Sequence, residues 1–393
     1  MVRDTSNTSA GGAGIPLPEW LRHYQKQWAR LDVVAGLTAA TVVIPKALAY
    51  AAVAGLPVQV GLYTAFVPMV IYTLFGTSRT LSVSTTTTLA ILTATALDRA
   101  APGGDATALM AATATLTMLV GIVLVLASVL RLGFLANFIS EPVLIGFKAG
   151  IAIVIVVDQI PKLLGIHFTK GSFLSNVIAI GQGIPQTSIP TLAVGLITFA
   201  ALIALARFLP RLPAPLLVVA GAIAASALLG LAGHGVESVG YVPIGLPSLT
   251  LPSLPLVAQL WPIALGIALM SFTETIAAGR AFLKDRAPAP NANRELLATG
   301  LANAGGALFG AMPAGGGTSQ TAVNFHAGAC TQVAELVTAL VALGVMMLLA
   351  PFIGLMPHTT LAAVVIVYSV GLFSPADFRA IIKVRRTEVV WAL

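Results

Sequence analysis

Two short stretches of hydroxyl and glycine residues stand out from an otherwise apolar chain: Ser82-Val-Ser-Thr-Thr-Thr-Thr88 and Gly315-Gly-Gly-Thr-Ser-Gln-Thr321. Each opens a helical apolar run. A helix start exposes free backbone N–H groups and the positive end of the helix dipole, which together suit an anion. Ser84, Thr85 and Thr86 add orientable hydroxyls in the first stretch, and Thr318, Ser319 and Thr321 add them in the second, where Gln320 offers an amide. Gly315, Gly316 and Gly317 would let the backbone approach a ligand closely. Neither stretch contains a carboxylate, which favours an anion over a metal or an organic cation. Small residues also serve close helix packing in membranes, and that is the competing explanation for either stretch taken singly.

Four ionisable residues, Lys46, Lys148, Asp158 and Glu274, fall inside apolar runs, where a charge is costly and a functional role is the default expectation. Lys46 follows Pro45, which is expected to break its helix. Glu274 lies at a comparable depth in a later run. The two are expected to flank the helix starts and to pair: Lys46 offsets Glu274 in the empty protein, then helps hold an anion. Glu274 is the candidate coupling residue, for a proton or a sodium ion. A structural ion pair that rigidifies two helices is the competing reading. Lys148 sits close enough to a membrane face to snorkel, and Asp158 lies near the opposite face. His167, His234, His326 and His358 are scattered without zinc-type spacing, and the single cysteine, Cys330, reads as packing. There is no Walker A loop, dinucleotide-binding turn or nucleophile elbow. No metal, cofactor or enzymatic chemistry is expected.

The elements that position these residues follow from composition. Of 393 residues, 57% are hydrophobic and 9% charged, against roughly 25% charged in a soluble domain. Apolar runs such as Thr115 to Val129 and Val337 to Ala350 approach the roughly 20 residues that cross a bilayer. Spans are expected at about 33 to 54, 58 to 75, 84 to 98, 108 to 131, 142 to 165, 188 to 207, 214 to 232, 258 to 281, 295 to 312, 318 to 328, 331 to 352 and 359 to 373. Residues 1 to 30 read as a cytosolic tail and an interfacial helix, without the features of a signal peptide. Arg79, Arg131, Arg207, Arg211, Arg280, Lys284, Arg286, Lys383, Arg385 and Arg386 then share one side, and the opposite side, with Arg99, Lys162 and Lys170, is poorer in cations. By the positive-inside rule the chain is a multi-pass inner (plasma) membrane protein with a cytosolic N-terminus. The net charge of +7 is spent on topology, and no nucleic-acid partner is implied.

The two polar stretches begin the third and tenth spans, corresponding places if the eighth span onward repeats the first seven. Non-helical backbone at membrane depth must be buried in protein or line a cavity, and interrupted segments at matching places in two halves point to a transporter site. The chain stops at Thr387-Glu-Val-Val-Trp-Ala-Leu393, which reads as the opening of a further span, so a seven-plus-seven repeat would be incomplete at its C-terminal end.

Several ordered motifs carry a resemblance. Asp32 to Tyr50 with Ala54-Gly-Leu-Pro57, Gly76-Thr-Ser-Arg79, Glu141-Pro-Val-Leu-Ile-Gly-Phe147, Gln159-Ile-Pro-Lys162, Glu295 to Asn303 and Thr318-Ser-Gln-Thr-Ala-Val-Asn324 resemble the sulfate permease (SulP) family. The resemblance implies an all-α uracil-transporter-like fold of two inverted seven-span repeats with half-helices in spans three and ten. Within residues 31 to 393 it implies a core of spans 1–4 and 8–11 and a gate of spans 5–7 and 12 onward. It also implies a homodimer in the full-length protein and a following cytosolic STAS domain, which these residues do not include. An anion would lie between spans three and ten, helped by one and eight, with Tyr50 at a position where the family often has an aromatic facing the site. Lys46 stands where animal members usually have glutamine, Thr85-Thr86 where a Pro-Phe pair is common, and Gln320 where several exchangers have arginine. The expectation is secondary active transport of a small anion (sulfate, bicarbonate or a dicarboxylate) by proton or sodium symport and alternating access. The alternatives are an uncoupled anion channel, a non-transporting sensor, or a nucleobase symporter of the same fold, which would want acids on both spans eight and ten.

Overall fold

The computed structural model describes residues 19–22, 24–137, 141–168, 173–210, 212–283 and 289–371. Lys170, Arg211, Lys284, Arg286, Lys383, Arg385, Arg386 and the chain end at Thr387 to Leu393 lie outside them, as does the Lys148 side chain. Sixteen α-helices and two minimal strands follow in the order α1 (Glu19–Arg22), α2 (Lys26–Val53), α3 (Gln59–Thr64), α4 (Val67–Phe75), β1 (Val83–Ser84), α5 (Thr87–Ala100), α6 (Ala106–Val129), α7 (Glu141–Leu164), α8 (Phe173–Gly183), α9 (Ile189–Phe208), α10 (Ala214–Leu229), α11 (Val257–Ala281), α12 (Ala292–Leu308), β2 (Gly315–Gly316), α13 (Thr318–His326), α14 (Val333–Gly344), α15 (Ala350–Ile353) and α16 (His358–Val370). A π-turn at Val345–Leu349 joins α14 to α15. Five of the continuous helical segments are long and apolar enough to cross a membrane, and the apolar side chains of α9, such as Ile189 at 71% and Ile197 at 69% exposure, face outward where lipid would lie.

The span boundaries expected from apolar runs match these helices to within a few residues, with four differences. First, the basic, aromatic segment before the first span is not a separate interfacial helix along its whole length: from Lys26 it forms the opening turns of α2. Second, α2 runs unbroken through Pro45. Proline removes one N–H from the ladder, but inside a packed bundle neighbouring groups take up the freed carbonyl, so a break is not forced. Third, the second span is split at Ala65–Phe66 into α3 and α4, with Pro68 in the first turn of α4, where a missing N–H costs nothing. Fourth, α8 was not expected, because its 11 residues are too short for a span.

Helices α6 and α12 pack most closely, α2 lies against α14, α12 also meets α4, and α11 meets α6, while α16 packs on α7 and α9. The α6–α12 approach depends on glycine: a Cβ at Gly121 would stand 2.6 Å from the Ala304 nitrogen, and one at Gly300 2.9 Å from that of Val125. Water-free helix association relies on such backbone contact, since lipid supplies no hydrophobic drive between helices. Buried acids then pin the links between helices. Asp32 accepts the N–H groups of Cys330 (2.6 Å) and Thr331 (3.0 Å) and the Thr331 hydroxyl (2.6 Å). Glu295 accepts Tyr72 OH (2.7 Å) and the N–H groups of Thr77 (2.8 Å) and Ser78 (3.2 Å).

Candidate functional site

The two interrupted spans meet through their strands. β1 and β2 pair antiparallel, Val83 opposite Gly316 and Ser84 opposite Gly315, and Gly317 N–H donates to the Ser82 carbonyl at 3.1 Å. This short ladder satisfies the backbone polar groups that lipid would leave bare, and it sets the starts of α5 and α13 facing one another. The half-helices hold 14 and 9 residues, about 21 and 14 Å at 1.5 Å per residue, so neither alone crosses the roughly 30 Å hydrocarbon layer.

Between them lies a cavity of about 320 Å³, at the low end of the roughly 300–1,000 Å³ usual for small-molecule sites. Of the residues singled out from sequence, Tyr50, Thr85, Thr86, Glu274, Gly317, Thr318, Ser319 and Gln320 line it. Thr87 and Thr88, from the first polar stretch, complete the wall with Ala322, Phe282 at the end of α11 and Gly371 at the end of α16, which carry no local signal of their own.

The side chains form two connected sets. On the α5 side, Thr86 is the N-cap: its Oγ1 accepts the Leu89 N–H at 3.3 Å and donates to Glu274 Oε2 at 2.7 Å. Thr87 Oγ1 donates to the Tyr50 hydroxyl at 2.8 Å. Thr85 Oγ1 is buried with no hydrogen-bond partner. On the α13 side, no side chain caps the helix. Lys46 Nζ donates to Ser319 Oγ at 2.6 Å and stands over the Tyr368 ring, 4.2 Å from its centroid, a cation–π contact that spreads the cost of a buried ammonium. Lys46 and Tyr50 are one helical turn apart on α2, so one face of that helix touches both half-helices.

Some expected residues also have structural duties. Gln320 ties α13 to β1, accepting Ser84 Oγ at 3.1 Å and donating to the Ser82 carbonyl at 3.3 Å. Thr321 Oγ1 accepts the Ser82 N–H at 3.1 Å and is fully buried. Lys46, Ser84 and Thr321 do not line the cavity; Lys46 lies behind it on Ser319. Gly315 and Gly316 are explained by packing on α11: a Cβ on Gly316 would stand 2.7 Å from Thr275 Cα, and one on Gly315 2.9 Å from Ser271 Oγ. Lys46 and Glu274 reach the same pair of helix starts, but no ion pair within 4.0 Å joins them. Each charge meets a hydroxyl of a different half-helix. A further acid, Glu335 of α14, interrupts an apolar run as Glu274 does; its Oε1 accepts the Val83 N–H at 2.6 Å and so anchors β1 from behind.

Two half-helices abutting inside a bundle, around a hydroxyl-lined cavity backed by a cation, define a membrane protein that transports rather than transforms its ligand. The chain belongs to the sulfate permease family, whose profile matches residues 30–393. It is 36% identical over 389 residues to the probable sulfate transporter MT1781 of Mycobacterium tuberculosis, covering 98% of this chain and 69% of that protein. It is 33% identical to sulfate transporter 2.2 of Arabidopsis thaliana (92% and 56% covered) and 30% identical to human solute carrier family 26 member 6 (96% and 53%). The chain thus spans about two thirds of the mycobacterial relative and just over half of the plant and human ones. Its fold is the membrane domain seen in the SLC26A9 structure (TM-score 0.89, 24% identity, 95% of this chain and 62% of that one). It is shared with the transmembrane domain of the cyanobacterial bicarbonate transporter BicA (TM-score 0.83, 22% identity, 94% and 95%). The chain is therefore an integral membrane anion transporter and not an enzyme.

Proposed function

We propose that the chain moves a small oxyanion, sulfate first and bicarbonate or a dicarboxylate next, by alternating access, with the anion held between the starts of α5 and α13. One observation carries this reading: the β1–β2 ladder aims two helix N-termini at one cavity while Lys46 supplies a fixed cation beside Ser319. Unpaired N–H groups and hydroxyls replace the anion's hydration shell, and the helix dipoles add favourable potential. The relatives' names support sulfate, and the bicarbonate transporter of the same fold supports a site that planar and tetrahedral anions can share.

Glu274 gives the coupling. A carboxylate in the wall opposes an anion unless it is neutralised, so a proton or a sodium ion at Glu274 would arrive with the substrate. Movement would pass between a core of α2 to α6 with α11 to α15 and a gate of α7 to α10 with α16, the N-terminus lying in the cytosol of an inner-membrane homodimer. In proteoliposomes, labelled sulfate should accumulate against its gradient when a proton or sodium gradient is imposed, and Glu274→Gln should abolish that dependence while leaving downhill exchange. Equilibration without accumulation would make the protein a channel. Failure to take up any small anion would end the reading.

A further inference from the structure

A second cavity, about 430 Å³, opens at the far end of α2 from Lys26, between the turn after α2, the end of α7, the linker before α11 and the start of α16. Its walls carry three groups that are or can become cationic, Lys162, His167 and His358, against one acid, Glu237. Glu237 is engaged at the rim, its Oε2 3.2 Å from His167 Nε2. The wall is held in place by the backbone: Val239 N–H donates to the Met356 carbonyl (2.9 Å), and His358 N–H to that of Glu237 (2.9 Å). One further feature points to a ligand. The 13-residue helix α16 starts here without a side-chain cap. An uncapped helix start presents N–H groups and the positive end of the helix dipole, which suit an oxyanion.

From this cavity we infer a second anion site, for a small oxyanion of the class carried by the central cavity, in which Lys162, the His358 ring and the first turn of α16 hold the anion. The inference rests on the anion-transport reading for the identity of the ligand. Lys162 Nζ donates to the Ala52 carbonyl at 3.1 Å, strapping α7 to the end of α2. An anion in the cavity competes for that ammonium, because a charge-assisted bond to an oxyanion is stronger than one to a neutral carbonyl. Occupancy thus loosens the strap between α2 and α7, so arrival of substrate at this face favours parting of the elements that close it.

The test uses the full chain in proteoliposomes and carbethoxylation of His358 by diethyl pyrocarbonate, read by mass spectrometry while sulfate is titrated. Sulfate should slow His358 labelling in the native protein and in Lys46→Gln. The midpoint should rise about tenfold in Lys162→Gln, and it should return toward native in Lys162→Arg. Unreactive His358 without sulfate, labelling indifferent to sulfate, or an unchanged midpoint in Lys162→Gln would overturn the site. If no anion is transported yet sulfate still protects His358, the central reading fails and this one stands.

Discussion

The two half-helix starts face the same cavity but reach it by opposite means. α5 brings its own polar groups: Thr86 caps it, Thr87 bonds Tyr50, and Thr85 holds a spare hydroxyl. α13 brings little of its own. Its N-cap is Gly317, its Gln320 is committed to β1, and its Ser319 borrows a charge from α2 through Lys46. A self-capped start has already satisfied a donor and offers hydroxyls; an uncapped start offers bare N–H groups and needs a neighbouring cation to strengthen its field. On the proposed reading, the difference would draw the anion's charge toward α13 and leave the coupling chemistry, through the Thr86–Glu274 bond, on the α5 side.

The largest effect should come from removing the borrowed charge. Lys46 is 4% exposed, and hydrogen bonds to charged groups are worth about 1.5–3 kcal/mol, so Lys46→Gln should raise the sulfate KM roughly 10- to 100-fold. Burying an ammonium is itself destabilising, so the same variant should melt no lower than the native protein. A drop in Tm matching the loss of uptake would show that Lys46 holds the bundle together rather than the anion.

Next is the support of α13. In Gly316→Ala the new methyl would meet Thr275 Cα at 2.7 Å, a contact that no rotamer relieves, so β2 must move off α11. Overpacking of this kind costs about 1–3 kcal/mol. Tm should fall and transport with it, whereas Ala322→Gly beside the same cavity should lower Tm only by the helix-propensity cost of about 1 kcal/mol. Equal loss in both would mean that the glycine stretch serves flexibility rather than close approach.

The sequence discloses the spans well, because runs of bilayer length bounded by polar turns leave few alternatives: a span expected at about 108 to 131 is α6, Ala106–Val129. It also discloses both helix starts, since Ser82 to Thr88 and Gly315 to Thr321 are too polar for lipid contact. It does not disclose which polar groups are free. Gln320 lines the cavity, but its amide is also bonded to Ser82 and Ser84, more than two hundred residues away in the chain. Asp32 and Glu295 are held by backbone N–H groups and hydroxyls that only the folded bundle brings to them. Tyr368 becomes part of the site because α16 lies beside α2, a tertiary fact with no local signature.

The smallest change should separate the two helix starts most cleanly. Thr85→Val removes a buried hydroxyl that bonds to nothing in the empty site and replaces it with a methyl of similar volume. An unsatisfied buried hydroxyl costs about 1–3 kcal/mol, so this variant should be as stable as the native protein or slightly more so. If the hydroxyl meets the anion, sulfate binding should weaken by about fivefold, the worth of one neutral-donor bond near 1 kcal/mol. Isothermal titration and thermal unfolding on the same preparation measure both quantities. Raised Tm with weakened binding places the anion within reach of α5 as well as α13. Raised Tm with unchanged binding confines it to α13, and the hydroxyls of α5 would then serve only the cap and the Glu274 bond.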